Sequence, residues 1–335
     1  MAYAHLSDPH PEWKKVAEEY KKIEETTAHL WALPIEEFRK VPYKPAPLSK
    51  DAPKPGEHVE ISERQIPVRD GTEIGVRIYR PLVITNNHVM FFNIHGGGWT
   101  VGTPQTEETQ NRLIAARNKA IVVSVDYRLA PEFPFPYALH DSIDAFKWAT
   151  LGADPNRIIV GGGSAGANLL KLSKATVLAQ ISRDENMGGI IGQIINIPVT
   201  CHPDHFPHSR YEGRSYEQNA LAPIVSASKM RLFWNNYLPS ADAHPWTSPL
   251  LSDSLAGLPP ALIQIAGMDP LRDEGIAYAE ALKSHGVDVK LQIYPGMPHA
   301  FYVYPDLGPS IEYFETMVGW IDEITQTTDN EEQCG

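Results

Sequence analysis

The chain has 335 residues, 42% of them hydrophobic, and 29 Lys and Arg against 41 Asp and Glu give a formal net charge of −12. That length and apolar content fill the core of one large α/β domain or two average ones. The acidic balance argues against nucleic acid or an anionic membrane surface as partner, and two cysteines make no disulfide framework. Residues 1–9 show no basic region followed by an apolar core, and no apolar run is long enough to span a membrane, so a cytoplasmic location is expected. A homodimer is compatible with the sequence, which does not fix the oligomeric state.

Residues 11–40 read as a polar amphipathic helix. Glu12, Lys14, Lys15, Glu18, Glu19, Lys21 and Lys22 make a solvated face, and Trp13, Val16, Tyr20 and Ile23 a narrow apolar stripe. Pro42, Pro45, Pro47, Pro53 and Pro55 follow as a stiff, extended linker. Strands are expected near 59–67 and 73–80, with Asp70-Gly71 as the turn between them. From Val89 onward strands alternate with helices, the strands near 89–94, 121–125, 157–161, 190–197, 261–266 and 288–294. Such alternation specifies a mostly parallel sheet covered on both faces. Residues 199–245 interrupt it with prolines, aromatics and a helix near 227–238.

Four short motifs carry chemistry. Gly162-Gly163-Ser164-Ala165-Gly166 lies between an apolar strand and a helical run, the setting of a nucleophile elbow. A sharp turn there lifts the Ser164 hydroxyl clear of the sheet, and the small neighbours let strand and helix approach. His95-Gly96-Gly97-Gly98-Trp99 follows the apolar run 89–94 and suits an oxyanion loop, where bare backbone N–H groups meet a developing negative oxygen. Gly97 and Gly98 are the expected donors, with Ala165 as a third. Asp269 lies just past one strand and His299 just past the next. A serine hydroxyl needs a base to take its proton, and a base needs an acid to hold its tautomer. His299 and Asp269 fit those roles. Asp273, four residues on, is the rival acid, more at home in the first turn of a helix.

With these motifs in the order Ser164, Asp269, His299, the chain resembles the hormone-sensitive-lipase group of α/β-hydrolases. The resemblance also rests on Asp126-Tyr127-Arg128-Leu129-Ala130-Pro131-Glu132, on Asp269-Pro270-Leu271-Arg272-Asp273-Glu274 and on Pro298-His299-Ala300-Phe301, and covers roughly residues 58–325. It implies the α/β-hydrolase fold, an eight-stranded and mostly parallel sheet with a helical cap, and a carboxylic-ester hydrolase without metal or organic cofactor. It divides the chain into an N-terminal cap segment and linker (1–57), a catalytic domain (58–198 and 246–327), a cap insertion (199–245) and a tail (328–335). The expected partner is a small or medium apolar ester or lactone, cleaved through an acyl-enzyme. Capture of the same intermediate by an alcohol would make an acyltransferase or cyclase, and elimination a dehydratase. A receptor-like binding module fits poorly, because all three catalytic residue types are present.

Two features depart from the family. Lys171 and Lys174 stand in the helix after the elbow, where small apolar residues are usual, and Met268 stands where an aromatic or acidic residue is common. Three further groups have two readings. His202, His205 and His208 beside Cys201 and Asp204 have metal-ligand chemistry, but Pro203 and Pro207 break any helix that would align them, so a cap loop is expected and no metal. Arg128 and Glu132 read as a buried structural pair. The aromatics Trp13, Trp31, Phe38, Phe206, Phe233 and Trp234 are pocket walls or cap packing, with Trp31, Phe206 and Trp234 as the substrate-contacting candidates.

Overall fold

The computed structural model describes residues 3–83, 88–151, 153, 154, 156–170 and 189–334, with side chains as far as residue 328. Lys171 and Lys174 lie outside the described residues. Eight strands form one sheet: β1 (Val59–Pro67), β2 (Glu73–Pro81), β3 (Met90–Ile94), β4 (Ile121–Asp126), β5 (Ile158–Gly163), β6 (Ile190–Asn196), β7 (Ala261–Met268) and β8 (Val289–Pro298). Their order is β1-β2-β4-β3-β5-β6-β7-β8. β2 runs antiparallel to β1 and β4, and the other pairings are parallel. At the β1–β2 turn Gly71 has φ +84, a conformation that glycine adopts without strain.

The pleat sends alternate side chains to opposite faces. In β3, Met90, Phe92 and Ile94 join one core, and Phe91 joins the other. The first core takes Leu139, Ile143 and Phe146 of one helix (Tyr137–Thr150) and Ile276, Ala277 and Leu282 of another (Arg272–Ser284). The second takes Leu113 and Ile114 of a third helix (Glu108–Arg117) and Tyr313, Phe314, Met317 and Ile321 of the last (Gly308–Cys334). That last helix runs on through residues expected to form a tail. All five β3 residues are buried. Strands buried on both faces read as continuous apolar runs, which is why they were visible in the sequence.

The N-terminal segment is less regular than its polar periodicity predicts. An α-helix spans Pro11–Thr27, a 3₁₀ turn covers Ala28–Ala32, and a short helix runs Ile35–Phe38. Pro34 ends the continuous pattern, since proline restricts the residue before it and supplies no N–H. Trp13 is buried against Tyr20 and Tyr304 at ring separations of 5.8 and 5.7 Å. Ahead of this helix, the chain lies across the ends of β7 and β8. His10 N–H donates to Gly296 O at 3.0 Å, and Arg272 donates to Ser7 Oγ at 2.7 Å. A Cβ on Gly267 would stand 2.3 Å from Leu6 O, and one on Gly296 would stand 2.1 Å from Asp8 O. Among the described residues, no helix is long and apolar enough to cross a membrane.

Candidate active site

Ser164 sits at the turn between β5 and a short helix (Ala165–Leu169), with φ 54 and ψ −116. A non-glycine residue held there is strained, and the surroundings keep it in place. Its N–H donates to Asn196 O at 2.8 Å, and its carbonyl accepts from Asn168 N–H at 3.1 Å. The flanking glycines permit the contact of helix and sheet. A Cβ on Gly166 would lie 2.0 Å from Ile94 O, and one on Gly162 would lie 2.6 Å from the Gly166 carbonyl carbon.

The structure brings the expected acid and base to this serine. Ser164 Oγ–H donates to His299 Nε2 at 3.0 Å, and His299 Nδ1–H donates to Asp269 Oδ2 at 2.7 Å. Relative exposures are 7% for Ser164, 3% for His299 and 1% for Asp269, so the chain of hydrogen bonds runs through protein rather than water. Asp269 Oδ1 accepts the Leu271 N–H at 2.9 Å, which fixes the carboxylate plane. The rival Asp273 is turned elsewhere. It accepts from the N–H groups of Arg214 and Ser215 at 2.7 and 2.9 Å and from Arg272 at 2.7 Å, which pins residues 199–245 to the helix at Arg272. Asn219 adds a bond from its amide to Asp269 O at 2.9 Å.

The glycine loop after β3 turns tightly, with φ 115 at Gly97, 58 at Gly98 and 56 at Trp99. A Cβ at Gly97 would meet Val101 O at 2.1 Å, and one at Gly98 would meet the Phe233 ring at 2.3 Å. Among the described residues, no acceptor takes the N–H of Gly97, Gly98 or Ala165. The tract after β4 supports this loop. Tyr127 donates to His95 O at 2.9 Å, its ring stacks on His95 at 4.2 Å, and Ala130 N–H donates to Trp99 O at 2.8 Å. Burial depresses the His95 pKa to about 4, so that ring is neutral and serves as a spacer. Arg39, from the N-terminal segment, donates to Thr100 O and to Ala130 O.

Arg128 and Glu132 do not pair with one another. Arg128 forms a bidentate pair with Asp141 and also bonds Asp70, while Glu132 takes Arg39. Four residues apart in a non-helical tract, the two side chains diverge. His202 and His205 stay neighbours, ring against ring at 5.4 Å, but the three histidines turn to different partners. His202 packs on Trp234 at 4.9 Å, His205 bonds Ala241 O at 2.6 Å, and His208 packs on Phe206 at 5.0 Å. Among the described residues, no three His, Cys, Asp or Glu side chains converge as metal ligands.

The three substrate-contacting candidates meet different fates. Trp234 packs at 4.7 Å on Trp99, beside Gly98. Trp31 reaches the loop through Phe233, at 5.6 Å. Phe206 lines a cavity of about 140 Å³ with Tyr216, Arg231, Asp273 and Glu274, whose wall includes neither Ser164 nor His299. Phe233, a pocket-wall or cap-packing aromatic in the sequence but not one of the three substrate-contacting candidates, lays its ring over Gly98. Its signal was the stripe Met230, Phe233, Trp234, Tyr237 on the helix Ala227–Tyr237, which marks one buried face.

Residues 91–303 match the family described as having the alpha/beta hydrolase fold. The chain belongs to that family. It is 35% identical over 323 residues to an AB hydrolase superfamily protein of Schizosaccharomyces pombe, covering 92% of this chain and 91% of that one. It is 39% identical over 253 residues to the carboxylesterase NlhH of Mycobacterium tuberculosis, covering 72% and 76%. Among solved structures, a vibralactone cyclase superposes with a TM-score of 0.77 at 28% identity, covering 97% of each chain. A bacterial heroin esterase does so with a TM-score of 0.75 at 28% identity, covering 97% and 99%.

Proposed function

We propose that the chain hydrolyses carboxylic esters through an acyl-enzyme on Ser164. It is a carboxylic-ester hydrolase, in line with the esterases among its relatives. The observation that carries the residue assignment is the unbroken, buried line from Ser164 Oγ through His299 to Asp269. His299 takes the hydroxyl proton as Ser164 attacks the carbonyl carbon, and Asp269 favours the imidazolium that results. The N–H groups of Gly97, Gly98 and Ala165 receive the oxyanion. His299 returns its proton to the leaving alkoxide, then activates the water that releases the acid.

The N-terminal segment and residues 199–245 act as a cap over this edge. Phe233, Trp31 and Trp234 support an apolar substrate face, suited to small or medium acyl and alcohol groups. A cytoplasmic setting fits the acidic chain and its two cysteines. A second reading, capture of the acyl group by the substrate's own hydroxyl, is supported by the likeness to a cyclase. Incubation with an aryl organophosphate should give a single mass adduct on Ser164 and abolish hydrolysis of an aryl acetate. An active, unmodified enzyme would sink the assignment, and a lactone product from a hydroxy ester would favour the second reading.

A further inference from the structure

Glu107 is a buried ionisable group that the proposed reaction does not use, with 4% of its surface exposed. Its Oε1 accepts the Gly96 N–H at 2.9 Å, and its Oε2 has no hydrogen-bond partner among the described residues. A Cβ built on Gly163 would stand 3.5 Å from the same Oε1. One carboxyl therefore bonds the oxyanion loop, at the residue before Gly97-Gly98, and lies next to the space a side chain at Gly163, the residue before Ser164, would enter. It enters from the start of the helix Glu108–Arg117, outside both loops.

That position matters because the three glycines have no side chains to hold them, although His95 Nδ1–H donates to Gly96 O at 2.7 Å. Gly96, Gly97 and Gly98 are free to rotate unless neighbours fix their peptide planes. Tyr127 and Ala130 fix the loop on the carbonyl side, at His95 O and Trp99 O. Glu107 fixes it on the N–H side. Preorganised donors stabilise a developing oxyanion because they need not turn toward it during the reaction.

We propose that Glu107 is a positioning residue that anchors the oxyanion loop beside the elbow through the Gly96 N–H and so aims the Gly97 and Gly98 donors at the carbonyl attacked by Ser164. The inference rests on the serine reading above. The titratable groups that interact electrostatically with this carboxyl are the phenols of Tyr43, Tyr127, Tyr302 and Tyr313, with the amide of Asn93 nearby. His95 lies beside it on the loop. Tyr43 bonds Thr106 and Tyr127 bonds His95 O, burial raises the phenol pKa of Tyr127, Tyr302 and Tyr313, and Glu108, the neighbour in sequence, is turned to Arg77 and Arg112.

The test compares variants of the full chain on an aryl acetate, with affinity for an aryl trifluoromethyl ketone as a direct probe of the oxyanion donors. Glu107→Ala should lower kcat by roughly tenfold to a hundredfold with KM changed by less than about twofold, and should weaken ketone binding in parallel. Glu107→Gln keeps an acceptor for Gly96 and should hold kcat within about threefold of wild type. In the alanine background, Gly163→Asp returns a carboxyl to the same space once the Tyr302 hydroxyl, 3.3 Å from that Cβ, gives way slightly. It should recover most of the loss. Should Glu107→Ala not fold, Glu107→Met fills the volume without an acceptor and carries the same comparison. Ketone affinity and kcat unchanged in the alanine variant, or a glutamine variant as impaired as alanine, would overturn the positioning role. Ser164→Ala measured alongside separates the two claims, because retained turnover there removes the serine reading itself.

Discussion

Ser164, Asp269 and His299 at the carboxyl edge of the sheet are placed by main-chain geometry, whereas Trp31, Phe233 and Trp234 above it are placed by ring against ring. The first group hangs on strand ends, a strained turn and glycines such as Gly162 and Gly166, where an added Cβ would meet backbone. The second hangs on a stack of aromatics, on Lys229 above the Trp31 ring at 5.1 Å, and on a few long-range bonds such as Arg39 to Ala130 O. Backbone placement tolerates almost no change. Aromatic placement can be repacked, because dispersion contacts are many, small and weakly directional. On the proposed reading, the chemistry lies with the rigid layer and the choice of substrate with the adaptable one.

The sharpest way to break this division is to remove the nucleophile. Ser164→Ala should keep the fold and lower kcat at least about ten-thousandfold, with His299→Ala costing as much and the double variant little more. Near wild-type turnover in either would show that the buried hydrogen-bonded line is structural only. A smaller effect probes the seam between the layers. Gly98→Ala drives a methyl into the Phe233 ring at φ 58, and should cost about a hundredfold in kcat. Phe233→Ala in that background should recover part of the loss, since the ring yields where backbone cannot. No recovery would mean that φ strain alone is responsible.

Removing residues 1–45 should spare a short activated ester and lower kcat/KM for a long acyl ester by roughly tenfold more. The truncated protein must first be shown to be folded, because Trp13 is buried in the second core. An equal, small change for both esters would take this segment out of the cap. The smallest effect concerns pH and stability. Burial raises the Glu107 pKa from 4.5 to about 7. A buried acid with a raised pKa binds its proton more tightly folded than unfolded, so stability falls as pH rises from the ordinary value to the raised one and is level above it. Glu107→Gln lacks this loss. Its Tm relative to wild type should climb by about a few degrees between pH 5 and 7.5. A difference that stays flat with pH would show that the carboxyl does not titrate in that range.

All eight strands were legible, the central ones as apolar runs and β2 as a buried/exposed alternation beyond the Asp70-Gly71 turn, and so were the residues that now stand around Ser164. Local chemistry sufficed for them. The elbow needs its glycines next to the serine, and Asp269 and His299 each follow a strand end directly. Asp269 could be preferred over Asp273 for the same reason, and the structure turns Asp273 toward Arg214 and Ser215. What the sequence hid were pairings across long separations. Nothing near Arg128 announces Asp141 and Asp70, and nothing near Glu132 announces Arg39, ninety-three positions away. Which way Phe206 faces was not legible, because an aromatic in an irregular stretch carries no periodicity, whereas Phe233 sits on a helix whose stripe supplies it.

The strap of residues 3–10 across β7 and β8 has a consequence for how the molecule is made. Its hydrogen bonds and close backbone contacts, at Gly267, Arg272 and Gly296, join residues more than two hundred and fifty positions apart. Contacts of such separation form late in folding, since the intervening loop must close before they gain anything. During synthesis the N-terminus emerges first and then waits, with Leu6 and Trp13 uncovered, until β8 has left the ribosome. His299 arrives at the end of that same strand. The chain therefore gains this seam and, on the proposed reading, its base together, because residues 3–10 dock no earlier than the segment that carries His299 is available.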